Sequence, residues 1–269
     1  MIYFEGAGAV LHQGDAAEVL RELPEESVQC VVTSPPYDNL RDFDGYTFDF
    51  EAIARGLYRV MVPGGVVCWN VADATVNGSE TLTSMKQAIY FKEVCGFRMH
   101  DTMIYEKVNA SRPNKYRYLS CFEYVFVLTK GAPRCFNPIY DKRNVTFGKT
   151  CRGKHTIRNR DGSMTERKDR RQAREYGMRS NVWRGLTSGQ ENFCGALPHP
   201  ATMPAWLARD LILSWSNPGD TVLDPLCGGG TTAEACAKTL RKFVGIEISA
   251  NYCELTAKRL GNRLALEVS

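Results

Sequence analysis

Residues 28–37, Val28-Gln29-Cys30-Val31-Val32-Thr33-Ser34-Pro35-Pro36-Tyr37, are an apolar run halted by two prolines. Val28, Cys30, Val31 and Val32 read as a buried parallel strand, because apolar residues fill successive positions rather than every second one. Neither proline can donate a ladder hydrogen bond and each fixes its own φ, so the strand ends in a rigid hook. The hook presents the Ser34 hydroxyl, the Pro35 carbonyl, which no helix claims, and the Tyr37 ring. Two acceptors beside an aromatic face suit a planar ring that carries an exocyclic amino group. A nucleobase meets that description.

Outward from the hook, strands and helices alternate up to about residue 130. Residues 9–14 are expected to form a strand ending at Asp15, and 16–23 a short helix. Residues 38–49 are polar and turn-rich with interleaved aromatics, a loop whose charges Asp38, Arg41 and Asp44 read as solvated. Residues 50–62 have helical spacing (Ile53, Leu57, Val60, Met61) and stop at Pro63-Gly64-Gly65. Residues 66–71 read as a strand. Ser79, with Glu80 nearby, is the expected N-cap of a helix reaching Cys95 and Gly96. Two β-rich segments follow at 97–107 and 119–129, and the loop between them holds Arg112, Lys115 and Arg117.

From 131 to 195 the periodicity vanishes. This stretch carries 15 Lys/Arg against 6 Asp/Glu, a net of +9, while the whole chain of 269 residues carries only +4. The rest is therefore acidic, at −5. A basic insert in an acidic body suits a polyanionic partner, and its composition alone predicts a segment that is disordered or ordered by that partner. Its aromatics Tyr176 and Trp183 suit insertion into a groove.

Order returns at Pro204 with a helix through Trp206, Leu207, Leu211 and Ile212. A strand at 221–224 then runs into Asp224-Pro225-Leu226-Cys227-Gly228-Gly229-Gly230-Thr231-Thr232, which opens a helix expected from Ala233 to Leu240. Strand, glycine turn and helix together form an architecture that binds cofactors at a helix N-terminus. The next strand, 242–247, ends in Glu247, 23 residues after Asp224 and near the spacing of a ribose-gripping carboxylate. No Lys-Ser/Thr follows the glycines, so a P-loop fails, and the turn does not match G-x-G-x-x-G.

With 43% hydrophobic and 24% charged residues, the composition is that of a soluble globular protein, and no apolar stretch is long enough to span a bilayer. The first residues, Met1-Ile2-Tyr3-Phe4-Glu5, do not read as a signal peptide, so the expected location is the cytoplasm. Ten cysteines are scattered without a C-x-x-C pair. Several sit inside apolar runs, where a thiol behaves as a small hydrophobe. Cys135, Cys151, His155 and Cys194 match no zinc-ligand spacing, and no metal is expected.

The pair TSPPY and DPLCGGGTT, in this order, resembles the amino-methylating DNA methyltransferases, and more narrowly their circularly permuted group, in which the catalytic motif precedes the cofactor motif. LHQGD and LP ahead of the hook, HPATMP at 199–204 and GIEIS-x-x-Y-C at 245–253 extend the resemblance over nearly the whole chain, leaving 131–195 poorly constrained. It implies an α/β fold: a seven-stranded, mostly parallel, Rossmann-like sheet, circularly permuted, that binds S-adenosylmethionine. Residues 1–130 would be the catalytic part, 131–195 the basic target-recognition insert and 196–269 the cofactor part. Asp224, Pro225, Cys227, Gly228, Gly230 and Thr231 would line the methionine end of the cofactor, with His199 and Thr202 closing over it. Glu247 would hold the ribose and Asp15 the adenine end, although Asp15 also suits an N-cap. Leu226 and Gly229 depart from the commoner D-P-F-x-G-S-G-T-T, and HPATMP lacks the lysine of H-P-x-x-K-P.

The resemblance implies methyl transfer to the amino nitrogen of a base flipped out of double-stranded DNA. Ser34, Pro35, Pro36 and Tyr37 would form the catalytic hook: Ser34 Oγ and the Pro35 carbonyl accept from the amino group, and Tyr37 stacks on the base. Arg112, Lys115, Arg152, Lys154, Arg158, Arg160, Arg170, Arg171, Arg174, Arg179 and Arg184 are the candidate phosphate contacts. Serine before Pro-Pro-Tyr leans towards the N4 of cytosine, whereas aspartate leans towards the N6 of adenine. A homodimer and a cognate restriction endonuclease acting separately complete the expected partners. Cytosine-C5 methylation is rejected because no Pro-Cys dipeptide supplies the attacking thiol. RNA or protein-amide methylation is disfavoured by Ser34 and the arginine-rich insert. A catalytically dead DNA-binding fold is disfavoured by two intact motifs.

Overall fold

The fold is taken from a computed structural model that describes residues 1–6, 8–37, 48–108, 115–148, 155–167, 174–188 and 203–267. The chain opens with β1 (Ile2–Gly6), β2 (Ala9–Gln13), α1 (Ala16–Glu22), β3 (Val28–Thr33), α2 (Phe50–Val60) and β4 (Met61–Val71). Next come β5 (Thr75–Val76), β6 (Ser79–Glu80), α3 (Thr83–Glu93), β7 (Arg98–Lys107) and β8 (Phe122–Thr129). Short strands follow: β9 (Lys142–Arg143), β10 (His155–Arg158), β11 (Met164–Arg167), β12 (Tyr176–Gly177) and β13 (Val182–Gly185). The chain closes with α4 (Ala205–Trp215), β14 (Thr221–Asp224), α5 (Thr231–Lys238), β15 (Lys242–Glu247) and α6 (Ala250–Glu267).

The main sheet runs β1-β2-β15-β14-β3-β4-β8-β7-β13. From β2 to β4 its neighbours are parallel, as are β7 and β13; β1/β2, β4/β8 and β8/β7 are antiparallel. The sheet thus has nine strands rather than the expected seven. One extra strand is β1, whose backbone pairs with β2 across a turn at positive-φ Gly8. The other is β13, whose Trp183 is only 6% exposed. Trp183 therefore packs into the protein and is not the groove-inserting side chain that composition suggested.

The central strands are covered on both faces, which is why β3 is buried at Val28, Cys30, Val31, Val32 and Thr33 alike. On one face α1 contributes Ala16, Ala17, Val19 and Leu20, and α2 contributes Ile53, Ala54, Leu57 and Val60. Arg59 ties the two helices together by donating from Nη2 to the carbonyls of Leu20 and Leu23, both at 2.5 Å. Those carbonyls at the end of α1 would otherwise lack partners.

Two local expectations differ from the structure. Pro63-Gly64-Gly65 does not separate a helix from a strand, because β4 begins at Met61 and runs through it. Gly64 there has φ +79 and donates to the Lys130 carbonyl, and the β3/β4 register shifts between Val28 and Cys30 to absorb the irregularity. Ser79 is not a helix cap either. It lies in the hairpin β5/β6, turned by Asn77 and Gly78, both at positive φ. The start of α3 is instead served by Asp73, which accepts from Ser84 N at 2.8 Å and Ser84 Oγ at 2.6 Å.

Residues 138–180 form a second compact unit, the first comprising 1–137 and 181–269. Within the second unit β10 pairs with β11 and β9 with β12, both antiparallel. The β10/β11 turn is held by Asn159, whose Nδ2 donates to Ser163 Oγ and Thr165 Oγ1, and by Asp161, which accepts from Ser163 N. This part of the basic stretch therefore has a hairpin and a second strand pair that composition did not suggest.

The docking of β13 depends on a missing side chain. A Cβ on Gly185 would lie 2.3 Å from Cζ2 of Trp206, whose indole N–H donates to the Leu186 carbonyl at 3.0 Å. Gly185→Ala is expected to destabilise the protein by about 1–3 kcal/mol in urea unfolding. An unchanged midpoint would show that the ring is free to move.

Candidate active site

Two chain segments meet where β3 and β14 lie side by side. Thr33, the last residue of β3, donates from Oγ1 to Asp224 Oδ1 at 2.7 Å. Asp224 ends β14 and also accepts from Thr232 Oγ1 at 2.6 Å and from Leu226 N at 3.2 Å. The hook begins at the residue after Thr33, and Thr232 lies in the first turn of α5. One buried carboxyl therefore fixes the strand that carries the hook against the turn that carries the glycines. Burial raises the Asp224 pKa to about 6, against the pull of the hydrogen bonds from Thr232, Thr33 and Leu226.

The glycine turn is held from both sides. Gly228 has φ +49 and donates to Glu247 Oε2 at 2.8 Å, while its carbonyl accepts from Thr256 Oγ1 at 2.9 Å. Gly230 has φ +80, and a Cβ there would sit 2.6 Å from Thr256 Oγ1, so both conformation and space require glycine. It is also the N-cap of α5, so no side chain caps that helix start at Thr231. Cys227 is buried and donates its N–H to the Ile246 carbonyl at 3.0 Å; burial pushes its thiol pKa well up. An uncapped helix start beside a close-approaching backbone favours a ligand with polar or anionic groups.

Glu247 accepts from Gly228 N and, through Oε1, from Ser249 N at 2.9 Å. Burial raises its carboxyl pKa, and those N–H groups pull it back. Asp15 caps α1, with Oδ1 accepting from Ala17 N at 2.9 Å and Glu18 N at 3.1 Å. Its carboxylate thus has the capping role that competed with the adenine-end assignment.

At the hook, Ser34 Oγ and Tyr37 Oη lie 2.9 Å apart, and Tyr37 Oη donates to Glu123 Oε2 at 2.8 Å. Asn70 Nδ2 also donates to Glu123 Oε2, at 2.9 Å, and to the Tyr124 carbonyl. Lys107 Nζ pairs with Glu123 Oε1 at 2.7 Å. Burial first, and the Glu123 carboxylate second, push the Tyr37 pKa well up, so the phenol stays protonated. Glu123, Asn70 and Lys107 escaped the reading of the sequence. The available signal was a polar residue within an apolar strand: Asn70 in VVCWNV and Glu123 in FEYVFV.

Among the basic candidates, Arg158, Arg160 and Arg174 are exposed. Arg179 is engaged by Asp141, both of whose oxygens its Nε reaches, and this pairing holds the Asp141 carboxyl below its ordinary value. Arg184 pairs with Glu106 at 3.4 Å, and the Lys115 ammonium lies 5.5 Å from the centre of the Tyr116 ring. Arg112, Arg152, Lys154, Arg170, Arg171, His199, Thr202, Asp38, Arg41 and Asp44 lie outside the described residues, as do Cys151 and Cys194. Among the described residues no group of histidines, cysteines and carboxylates could hold a metal ion, and no helix is long and apolar enough to cross a membrane.

A family model described as DNA methylase, of the N6/N4 type, matches residues 28–258. The orphan methyltransferase M.BamHII of Bacillus amyloliquefaciens is 46% identical, over 89% of this chain and 91% of that protein. The type II methyltransferase M.Cfr9I of Citrobacter freundii is 29% identical, over 94% and 88%. Among solved structures, a Thermus thermophilus protein described as a DNA modification methylase, complexed with S-adenosyl-L-methionine, is similar. It has a TM-score of 0.60 and 26% identity, covering 94% of this chain and 93% of that one. The cytosine-N4-specific PvuII DNA methyltransferase superposes with a TM-score of 0.66 over 93% and 86%, at 19% identity, a likeness of fold.

The buried Asp224 carboxyl carries a pH signature. Its folded value of about 6 lies above its unfolded value of 3.8, so the folded state binds more protons between the two. Its contribution to stability is present at low pH and is lost as pH rises through the folded value. Asp224→Asn removes that loss: its stability relative to the original protein should be greater at pH 8 than at pH 4, by on the order of 3 kcal/mol in urea unfolding. Equal differences at the two pH values would show that the carboxyl titrates normally.

Proposed function

This chain belongs to the N6/N4 DNA methylase family, and from that premise we propose that it transfers a methyl group from S-adenosylmethionine to the exocyclic amino group of a base flipped out of double-stranded DNA, with cytosine N4 favoured over adenine N6. The observation that carries the reading is the Asp224 carboxyl, which fixes the TSPPY hook beside the glycine turn.

The glycine turn fits the methyl donor. Gly230, which leaves no room for a Cβ, the uncapped start of α5 and Glu247 would hold it, together with Asp224, Pro225, Cys227, Gly228 and Thr231. When bound, S-adenosylmethionine supplies an electrophilic methyl group on a sulfonium. The chain's own residues prepare the nucleophile. An amino nitrogen conjugated to a ring has a delocalised lone pair. Hydrogen bonds from its two protons to Ser34 Oγ and the Pro35 carbonyl favour a pyramidal nitrogen with the lone pair localised. Pro35 and Pro36 hold these acceptors rigidly, and stacking on Tyr37 offsets roughly 1–3 kcal/mol of the cost of flipping. Catalysis is therefore positioning and local electrostatics, with no covalent nucleophile.

The finer reading extends to topology. The strands bearing the hook precede β14 and β15, which bear the cofactor turn and Glu247, in keeping with a circularly permuted methyltransferase. Residues 131–195 serve target recognition, with Arg158, Arg160 and Arg174 on phosphates. The protein works in the cytoplasm. The same reading allows a homodimer and a separate cognate restriction endonuclease.

Incubation with unmodified DNA and S-adenosylmethionine, then digestion to nucleosides and mass analysis, is expected to yield N4-methylcytosine. N6-methyladenine would move the assignment to the other base. Only 5-methylcytosine, or no product despite cofactor binding, would overturn the function. Removing residues 142–184 would also remove most of β13 from the main sheet, so charge neutralisation is the cleaner test of the basic unit. Replacing Arg158, Arg160 and Arg174 by glutamine should make the slope of log affinity against log salt shallower by about 3. An unchanged slope would mean that these side chains do not meet phosphate.

A further inference from the structure

The hydrogen bonds behind the hook impose a direction on its hydroxyl protons. Glu123 receives Lys107 Nζ on Oε1 at 2.7 Å, and both Asn70 Nδ2 and Tyr37 Oη on Oε2 at 2.9 and 2.8 Å. An ionised carboxylate only accepts, so the single hydrogen of the Tyr37 hydroxyl is committed to Glu123. The 2.9 Å contact between Ser34 Oγ and Tyr37 Oη then has one possible donor. Ser34 must give its own hydrogen to Tyr37. Its oxygen is left with lone pairs only.

We propose that Glu123 is a positioning residue that, through Tyr37, makes Ser34 Oγ an obligate acceptor and so selects an amino-bearing ring over a keto-bearing one. The proposal rests on the methyl-transfer reading above and assigns a source for the polarity of its hook. Cytosine offers an N–H donor where thymine offers a carbonyl, and adenine offers one where guanine offers a carbonyl. An acceptor-only Ser34 pairs with cytosine and adenine and faces the two keto bases lone pair to lone pair. The partly buried Tyr37 supports this ordering, because desolvation beside a carboxylate pushes its pKa up and the phenol keeps its proton. Asn70 is fixed in the same sense. With Nδ2 committed to Glu123 and Tyr124, its Oδ1 is a buried acceptor with no hydrogen-bond partner among the described residues.

Glutamine at 123 would disturb the order without changing the shape. Lys107 demands an oxygen at the Oε1 position, so the amide nitrogen would turn towards Tyr37 and towards Asn70, whose own amide would have to turn over to accept from it. Tyr37 would then accept, its hydrogen would swing to Ser34, and the serine hydrogen would point at the amino group. Donor would face donor.

The test is the single-turnover methylation rate of Glu123→Gln, Tyr37→Phe and the double variant, measured with saturating S-adenosylmethionine and a duplex that the unaltered protein methylates. Glu123→Gln is expected to lower the rate about 10- to 100-fold, the equivalent of one buried hydrogen bond turned from favourable to mismatched. Its affinity for S-adenosylmethionine should stay within about twofold. In the Tyr37→Phe background the same substitution should cost less than about threefold, because its route to Ser34 is already cut. An equal fold-loss in both backgrounds would mean that Glu123 only supports the fold, and an undiminished rate in Glu123→Gln would remove its role altogether.

If Glu123→Gln does not fold, Tyr37→Phe alone decides. Stacking on phenylalanine should preserve flipping, read by 2-aminopurine fluorescence at the target base, while the rate falls at least about tenfold. A rate matching the unaltered protein would overturn the relay. Absence of any N-methylated base with the unaltered protein would instead defeat the methyl-transfer reading, so the two failures are distinguishable.

Discussion

The Asp224 carboxyl joins parts of the chain that are 191 residues apart, accepting from Thr33 at the end of one strand and from Thr232 at the start of a helix. Its burial is costly, because removing a carboxylate from water disfavours the charge, and the rise of its pKa to about 6 expresses that cost. What offsets it is convergence. Two hydroxyls and a backbone N–H occupy the lone pairs, and all three belong to elements whose positions must agree for the site to exist. A hydrophobic contact between β3 and β14 would tolerate sliding; a carboxyl with three directional partners does not. Beyond the backbone pairing of β3 with β14, this one side chain ties the hook to the glycine turn.

From that anchor the two halves of the site differ in how they are stiffened. The glycine half uses backbone: Gly228 and Gly230 take left-handed conformations, and Thr256 and Glu247 hold the turn from the neighbouring helix and strand. The hook half uses side chains. Tyr37, Glu123, Asn70 and Lys107 form a partly buried polar chain, where low local dielectric strengthens each hydrogen bond and penalises a missing one. In the proposed reaction the turn lies against the methyl donor, which needs the absence of side chains. The hook there meets an amino group, so its hydroxyl hydrogens need to point in a chosen direction.

Much of this was legible in the sequence, and what was missed has physical causes. The strands Val28–Thr33, Thr221–Asp224 and Lys242–Glu247 are short apolar runs bounded by proline, glycine or a carboxylate, and they lie where those residues place them. The positions of Gly228 and Gly230 were readable because a turn of this kind leaves little choice of residue. Partner selection was not readable. That Asp224 also accepts from Thr33 could not be read, because the two lie 191 residues apart, and Glu123 was hidden because a single glutamate in a β-rich segment gives no sign of what it faces. The outer strands were missed for a different reason. β1 and β13 lie at the sheet edges, where burial on fewer sides weakens the apolar pattern on which strand reading depends.

The basic unit at 138–180 shows where composition misleads. Few apolar residues and many arginines describe a segment that cannot build a core, which is a correct statement about burial and a poor one about local order. The turn at 159–163 is specified by short-range chemistry: Asn159 and Asp161 bond to Ser163 and Thr165, and Gly162 takes a positive φ. Those residues form an Asp-Gly turn of the kind that directs two strands back on each other, and it needs no core to do so. The bidentate pair between Arg179 and Asp141 adds a charge-assisted clip within the same unit. Polar side chains here bond to one another and to nearby backbone. The unit thus keeps Arg158, Arg160 and Arg174 exposed, as the proposed phosphate contacts require, without surrendering all of its shape.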